Sequence, residues 1–216
     1  MVRRAGRGNG VVMTERSSTL DTVTDPDGDT DATRPAGWLR VASALAHRWP
    51  TWLALAFAAI NLADLGDGLE YTLLLVLLAA VYLIVTVLDR PRATWPVLYA
   101  LVAAVVCLRL LDVDPMPVLV VVAVAVVAVG LIKGRLRRPG LYALQSPAAM
   151  GIIALGLAAL SVPADIGRYL VAAGLLGHAV WDAIHWHANK IVKRSFAEWC
   201  GVLDLVLGLG ILILVG

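Results

Sequence analysis

The sequence predicts an all-α integral membrane helical bundle of about seven transmembrane helices, with its N-terminus cytoplasmic and its C-terminus outside. Three observations predict it. Hydrophobic residues fill 60% of the 216 positions and the mean hydropathy is +0.81, more apolar surface than a soluble domain of this size can hide. The apolar residues come in uninterrupted runs, such as Leu73 to Leu88 and Pro117 to Ile132, which a bilayer accepts. The basic residues between those runs fall on alternate loops, as the positive-inside rule requires.

Residues 1–36 are mostly Gly, Thr, Asp, Arg and Ser, a composition expected to form a disordered cytoplasmic tail. The run from Asp25 to Asp31 lacks the closing Glu and flanking helices of an EF-hand, so it reads as solvated tail rather than a calcium loop. The opening Met1 to Gly10 has no apolar stretch, so no cleavable signal peptide is visible, and Met13 is an alternative start. Over residues 37–49, Trp38, Val41, Leu45 and Trp49 recur at helical spacing among Arg40, His47 and Arg48. That pattern predicts a short amphipathic helix at headgroup level.

Residues 50–216 are expected to form the transmembrane domain. Its spans are expected near Pro50–Leu65, Leu69–Leu88, Thr94–Leu111, Met116–Ile132, Leu141–Leu160, Gly167–Asn189 and Phe196–Val215. Arg34, Arg40 and Arg48 flank the first span; Arg90 and Arg92, then Lys133, Arg135, Arg137 and Arg138, then Lys190, Lys193 and Arg194 occupy the same side. The opposite loops carry Asp64, Asp67 and Glu70, then Asp112 and Asp114, then Asp165 with Arg168. An odd number of crossings of the cell membrane follows. Arg109, inside the end of an apolar run, is expected to pair with Glu70 or Asp112.

The net charge of +2 is small and no basic stripe is interleaved with aromatics, so nucleic acid is excluded as a partner. Membrane lipids are the implied surroundings, and protein partners are not legible. Cys107 and Cys200 both fall inside spans and read as buried thiols rather than a disulfide. Glycines in the last three spans read as close helix packing, not as a phosphate loop.

One segment breaks the apolar rule. At about 100° per residue, His178, Asp182, His185 and Asn189 lie within about 60° of one another on the sixth span, whereas His187 points elsewhere. Counting about 1.5 Å per residue from the cytoplasmic end, His185 lies about 6 Å deep, Asp182 about 10 Å and His178 about 16 Å. In the seventh span Cys200 falls at about 6 Å and Asp204 at about 12 Å, and in the fifth Gln145 and Ser146 fall at about 6 Å. Nothing polar is read in the middle of spans two to four.

Ionisable groups at matching depth inside a bilayer point to function. Imidazole and carboxylate are ordinary ligands of zinc and iron, so His178, Asp182, His185 and Asp204 are the candidate ligands of a divalent metal. Asp204 and Asp182 are also the candidate acid/base residues, and Gln145, Ser146, Asn189 and Cys200 the candidate supports. The bland alternative for each is an interhelical hydrogen-bond cluster that holds spans together. For Cys200 it is a small buried apolar residue.

Seven spans with a cytoplasmic N-terminus and a His/Asp layer resemble the broad class of seven-helix intramembrane zinc hydrolases that includes adiponectin-receptor-like and ceramidase-like proteins. The resemblance is one of architecture. That class places a His-x-x-x-His pair on the final span; here His178-x-x-x-Asp182-x-x-His185 sits on the penultimate one and spans two to four hold no histidine. No residue assignment is carried over. The preferred reading is a metal-dependent enzyme, hydrolase-like, acting on a lipid or isoprenoid substrate. A small proton- or ion-coupled transporter or channel is the alternative, and a structural subunit of a membrane complex is the third reading.

Overall fold

The computed structural model describes residues 37–214. The expected tail over 1–36, with its Asp25 to Asp31 run and Met13, lies outside the described residues. Among those described, the chain is all-α, with eight helices and no strand.

Helix α1 (Gly37–His47) leaves Trp38, Val41 and Leu45 exposed, and it ends before Arg48 and α2 (Trp49–Ala63). Pro50 sits in the first turn of α2, where its missing N–H leaves no helical bond unmade. Helix α3 (Tyr71–Leu88) stops at Asp89, which adopts a left-handed conformation with φ 55°. A short 3₁₀ turn leads into α4 (Thr94–Leu110). Helix α5 (Pro115–Ile132) starts on Asp114, whose carboxylate accepts the Met116 N–H at 3.0 Å, a standard cap for the first turn. Helices α6 (Leu141–Leu160), α7 (Ala164–Ala188) and α8 (Arg194–Leu214) complete the chain.

Five helical segments are long and apolar enough to cross a membrane: α3, α4 with its leading turn, α5, α6 and α8. The chain is therefore a polytopic membrane protein. The sequence alone leads to seven crossings, and the difference from five has a physical origin in two helices. Helix α2 has 15 residues, about 22 Å of rise against a hydrocarbon layer of about 30 Å. Helix α7 has 25 residues and ample length, but His178, Asp182, His185 and His187 lower its hydropathy.

Helix α3 forms the centre. Its apolar window is 72% buried, against 11% for the Pro91–Leu110 segment, and it packs on α4, α5, α6 and α7. Helices α7 and α8 make the most extensive pair, with α6 along α7 and α2 along α8. Outward-facing Tyr99, Val106, Val121 and Val124 remain exposed, an apolar exterior that suits lipid and not water. Cys107 is exposed on that exterior, contrary to the expected burial, while Cys200 is buried; both are free thiols.

Charged groups at the helix ends knit the loops. Asp89 accepts from Arg135 and, at 2.9 Å, from Arg138, tying the end of α3 to the turn before α6. Arg109 forms no ion pair with Glu70 or Asp112 among the described residues. Glu70 instead turns back to accept the Gly66 N–H at 3.0 Å, a local bond that costs less chain ordering than reaching across the bundle.

Candidate metal centre

The i, i+4 spacing sets His178 and Asp182 one turn apart on the face of α7 that meets α8. Glycine lets the two helices close in there. A Cβ at Gly201 would lie 3.1 Å from Asp182 Cβ and 3.7 Å from the Ala179 carbonyl oxygen. That close approach brings Asp204, one turn beyond Cys200, against the imidazole.

His178 Nδ1 lies 2.7 Å from Asp204 Oδ2 in a hydrogen bond, and 3.2 Å from Asp182 Oδ2. Two carboxylates thus converge on one ring nitrogen, which has a single proton to give. From α3, the Tyr82 hydroxyl donates to Asp182 Oδ1. The Tyr82 ring also meets His178 and His185 edge-on, with centroids 5.5 and 4.9 Å apart. His178, Asp182 and Asp204 are each 0% exposed.

Among the described residues, three polar atoms of this group have no hydrogen-bond partner: His178 Nε2, Asp182 Oδ2 and Asp204 Oδ1. Buried polar atoms are nearly always satisfied, so three orphans in one cluster call for an explanation. Each of the three residues offers a donor atom, and these atoms lie within 4.8 Å of one another. The group could hold a metal ion, and its one nitrogen and two oxygens suit a divalent cation.

His185, the fourth expected ligand, is engaged elsewhere. Its Nδ1 lies 2.9 Å from the Trp181 carbonyl, an acceptor only, so Nδ1 carries the proton and Nε2 is left to accept. Gln145 Nε2 donates to it at 2.6 Å. The Trp181 ring packs against the imidazole in a tilted contact, 4.7 Å between centroids and 56° between planes. His185 stands outside the three-residue group.

Of the expected supports, Gln145 thus orients His185, and its own Oε1 is buried without a partner. Ser146 is half-buried and outside the group. Asn189 ends α7 in a left-handed conformation, φ 48°, its N–H bonded to the His185 carbonyl at 2.8 Å. Cys200 is fully buried in the core. His187 is exposed.

Sequence reasoning missed Tyr82, although a signal was present. Tyrosine favours the membrane interface, and this one interrupts an aliphatic run about seven residues before Asp89, hence about 10 Å deep. That is the depth of Asp182. No family model, curated protein or solved structure matches this chain, so its function has to be read from this site.

Proposed function

We propose that the chain is a metal-dependent enzyme of the cell membrane. In this reading His178, Asp182 and Asp204 hold one divalent cation, zinc or iron, and hydrolyse a bond in a lipid or isoprenoid substrate. Helices α2 and α7 join the five clear spans to make seven crossings, with the cationic loops and the N-terminus in the cytoplasm.

The observation that carries the reading is the pair of carboxylates converging on one imidazole nitrogen at 2.7 and 3.2 Å, in a fully buried position. Two ionised carboxylates leave a net negative charge beside one imidazole even when the ring is protonated, and charge buried without compensation is expensive. A divalent cation would offset that charge and give a partner to atoms that have none among the described residues.

Such a cation, held by His178, Asp182 and Asp204, would polarise a carbonyl or phosphoryl oxygen and lower the pKa of a nearby water toward neutrality. The chain's own residues then have distinct tasks. Asp182 Oδ2, 3.2 Å from His178 Nδ1 and without a hydrogen bond among the described residues, would take a proton from the attacking water. The water oxygen bonds to the electrophilic carbon or phosphorus, the bond to the leaving oxygen breaks, and the proton passes to that oxygen. Asp204 fixes the imidazole, and the Tyr82 hydroxyl fixes Asp182.

The test is elemental analysis of protein purified without chelator, alongside His178→Ala and Asp204→Asn. One divalent ion per chain in the parent and loss in both variants is the expected result. A parent without stoichiometric metal would falsify the proposal. Proton flux through metal-free protein in liposomes would favour the alternative of a relay, to which the polar run Tyr82, Asp182, His178, Asp204 is also suited.

A further inference from the structure

Helices α7 and α8 enclose a groove of about 460 Å³. Short side chains, Ala179 and Ala183 from α7 and Ala197 and Gly201 from α8, line its middle among larger aliphatic residues, and Trp186 and Glu198 lie at its cytoplasmic-loop end. Glu198 is the only ionisable residue in the lining, and both of its oxygens are taken. Oε1 accepts from Thr51 Oγ1 at 2.6 Å and Arg48 at 3.2 Å, and Oε2 accepts from Trp186 Nε1 at 3.3 Å. The Arg194 guanidinium lies over the Trp186 ring, 3.7 Å from its centroid. Among the described residues it forms no ion pair.

The groove is therefore apolar along its length and cationic at one end, where Arg48 and Arg194 outnumber Glu198. An acyl or prenyl chain fits the first part, and a phosphate fits the second. Gly201 lines the groove and abuts the buried cluster. The position its Cβ would occupy is 4.0 Å from Asp182 Oδ2, the same oxygen that lacks a partner. Asp182 also lies one turn, about 6 Å, deeper than Trp186, level with the first bonds of a chain whose phosphate rests at the Trp186 end.

We infer that this groove seats a phosphate-headed membrane lipid, phosphate on Arg194 and chain across Gly201, and so presents the substrate to Asp182. The inference rests on the metal-dependent enzyme proposed above and names its substrate class and route of approach.

The full chain is reconstituted in phosphatidylcholine vesicles containing phosphatidylglycerol with a diazirine in its acyl chain, irradiated and digested. The expected label falls on the peptides bearing Ala179, Ala183 and Val202, and excess unlabelled phosphatidylglycerol displaces it. Arg194→Gln lowers the label roughly fivefold. Val180→Trp, a change at an exposed position on the groove's edge, obstructs it without touching the core. Equal labelling of α4, α5 and the groove, or labelling indifferent to both variants, overturns the inference. Metal analysis of the same samples separates the two claims. Stoichiometric metal with no selective labelling refutes the lipid seat alone. Selective labelling without metal supports the seat and refutes the hydrolytic centre.

Discussion

Replacing Tyr82 with Phe removes one oxygen from the middle of the bundle and changes little else in volume. Among the described residues that hydroxyl is the only hydrogen-bond donor to Asp182 Oδ1, and Asp182 is fully buried. A hydrogen bond to a charged acceptor contributes about 1.5–3 kcal/mol. For a domain of this length that corresponds to a fall of roughly 3–12 °C in Tm. If Asp182 is a metal ligand, Tyr82 is the partner that orients it, and losing such a partner weakens metal affinity about 10–100-fold. The two figures agree, since a tenfold change is about 1.4 kcal/mol. The assay is chelator competition in detergent, read by elemental analysis, with thermal unfolding of the same samples. Weaker metal retention with a modest loss of stability is expected. A variant that melts and holds metal as the parent does would refute the role of the hydroxyl.

Two further substitutions test the surroundings. Gln145→Leu strips the partner from His185 Nε2 and should cost about 1–3 kcal/mol of stability while metal content stays at the parent level; metal loss would put His185 among the ligands. Gly167→Ala places a Cβ 2.4 Å from the Ala159 carbonyl oxygen, whereas at Gly151 a Cβ meets nothing within 4 Å. The first change should lower stability by about 1–3 kcal/mol and the second leave it nearly unchanged, and equal melting of the two would contradict the α6–α7 packing.

Much of the bundle can be read from the chain because the signals are local. Asp114 followed by Pro115 announces the start of α5, and a run such as Leu73 to Leu88 has no stable place except a bilayer or a core. Depth arithmetic is nearly as direct. Gln145 and His185, both placed about 6 Å in, do meet, and Asp204 meets His178 across an expected offset of about 4 Å. Other features depended on partners that spacing does not reveal. The helical wheel puts His185 on the face of Asp182, but only the position of Gln145 on α6 decides what its Nε2 bonds. Tyr82 was overlooked because an aromatic residue in an apolar span looks like packing. Its hydroxyl acquires meaning only when α3 is known to lie against α7. The shortness of α2 was legible, but its contact with Glu198 through Thr51 was not.

The glycine-tight seam of α7 and α8 also bears on alignment. Aliphatic rods in lipid can slide along one another at small cost, since one leucine replaces another. These two cannot. Displacing α8 by a single turn, about 5.4 Å, would bring Cys200 or Gly208 opposite His178, a thiol or no side chain at all where a carboxylate had been. The imidazole thus acts as a dowel through the hairpin, and Tyr82 extends it into a third rod. Insertion during biogenesis would then have one vertical setting at which all three helices lock.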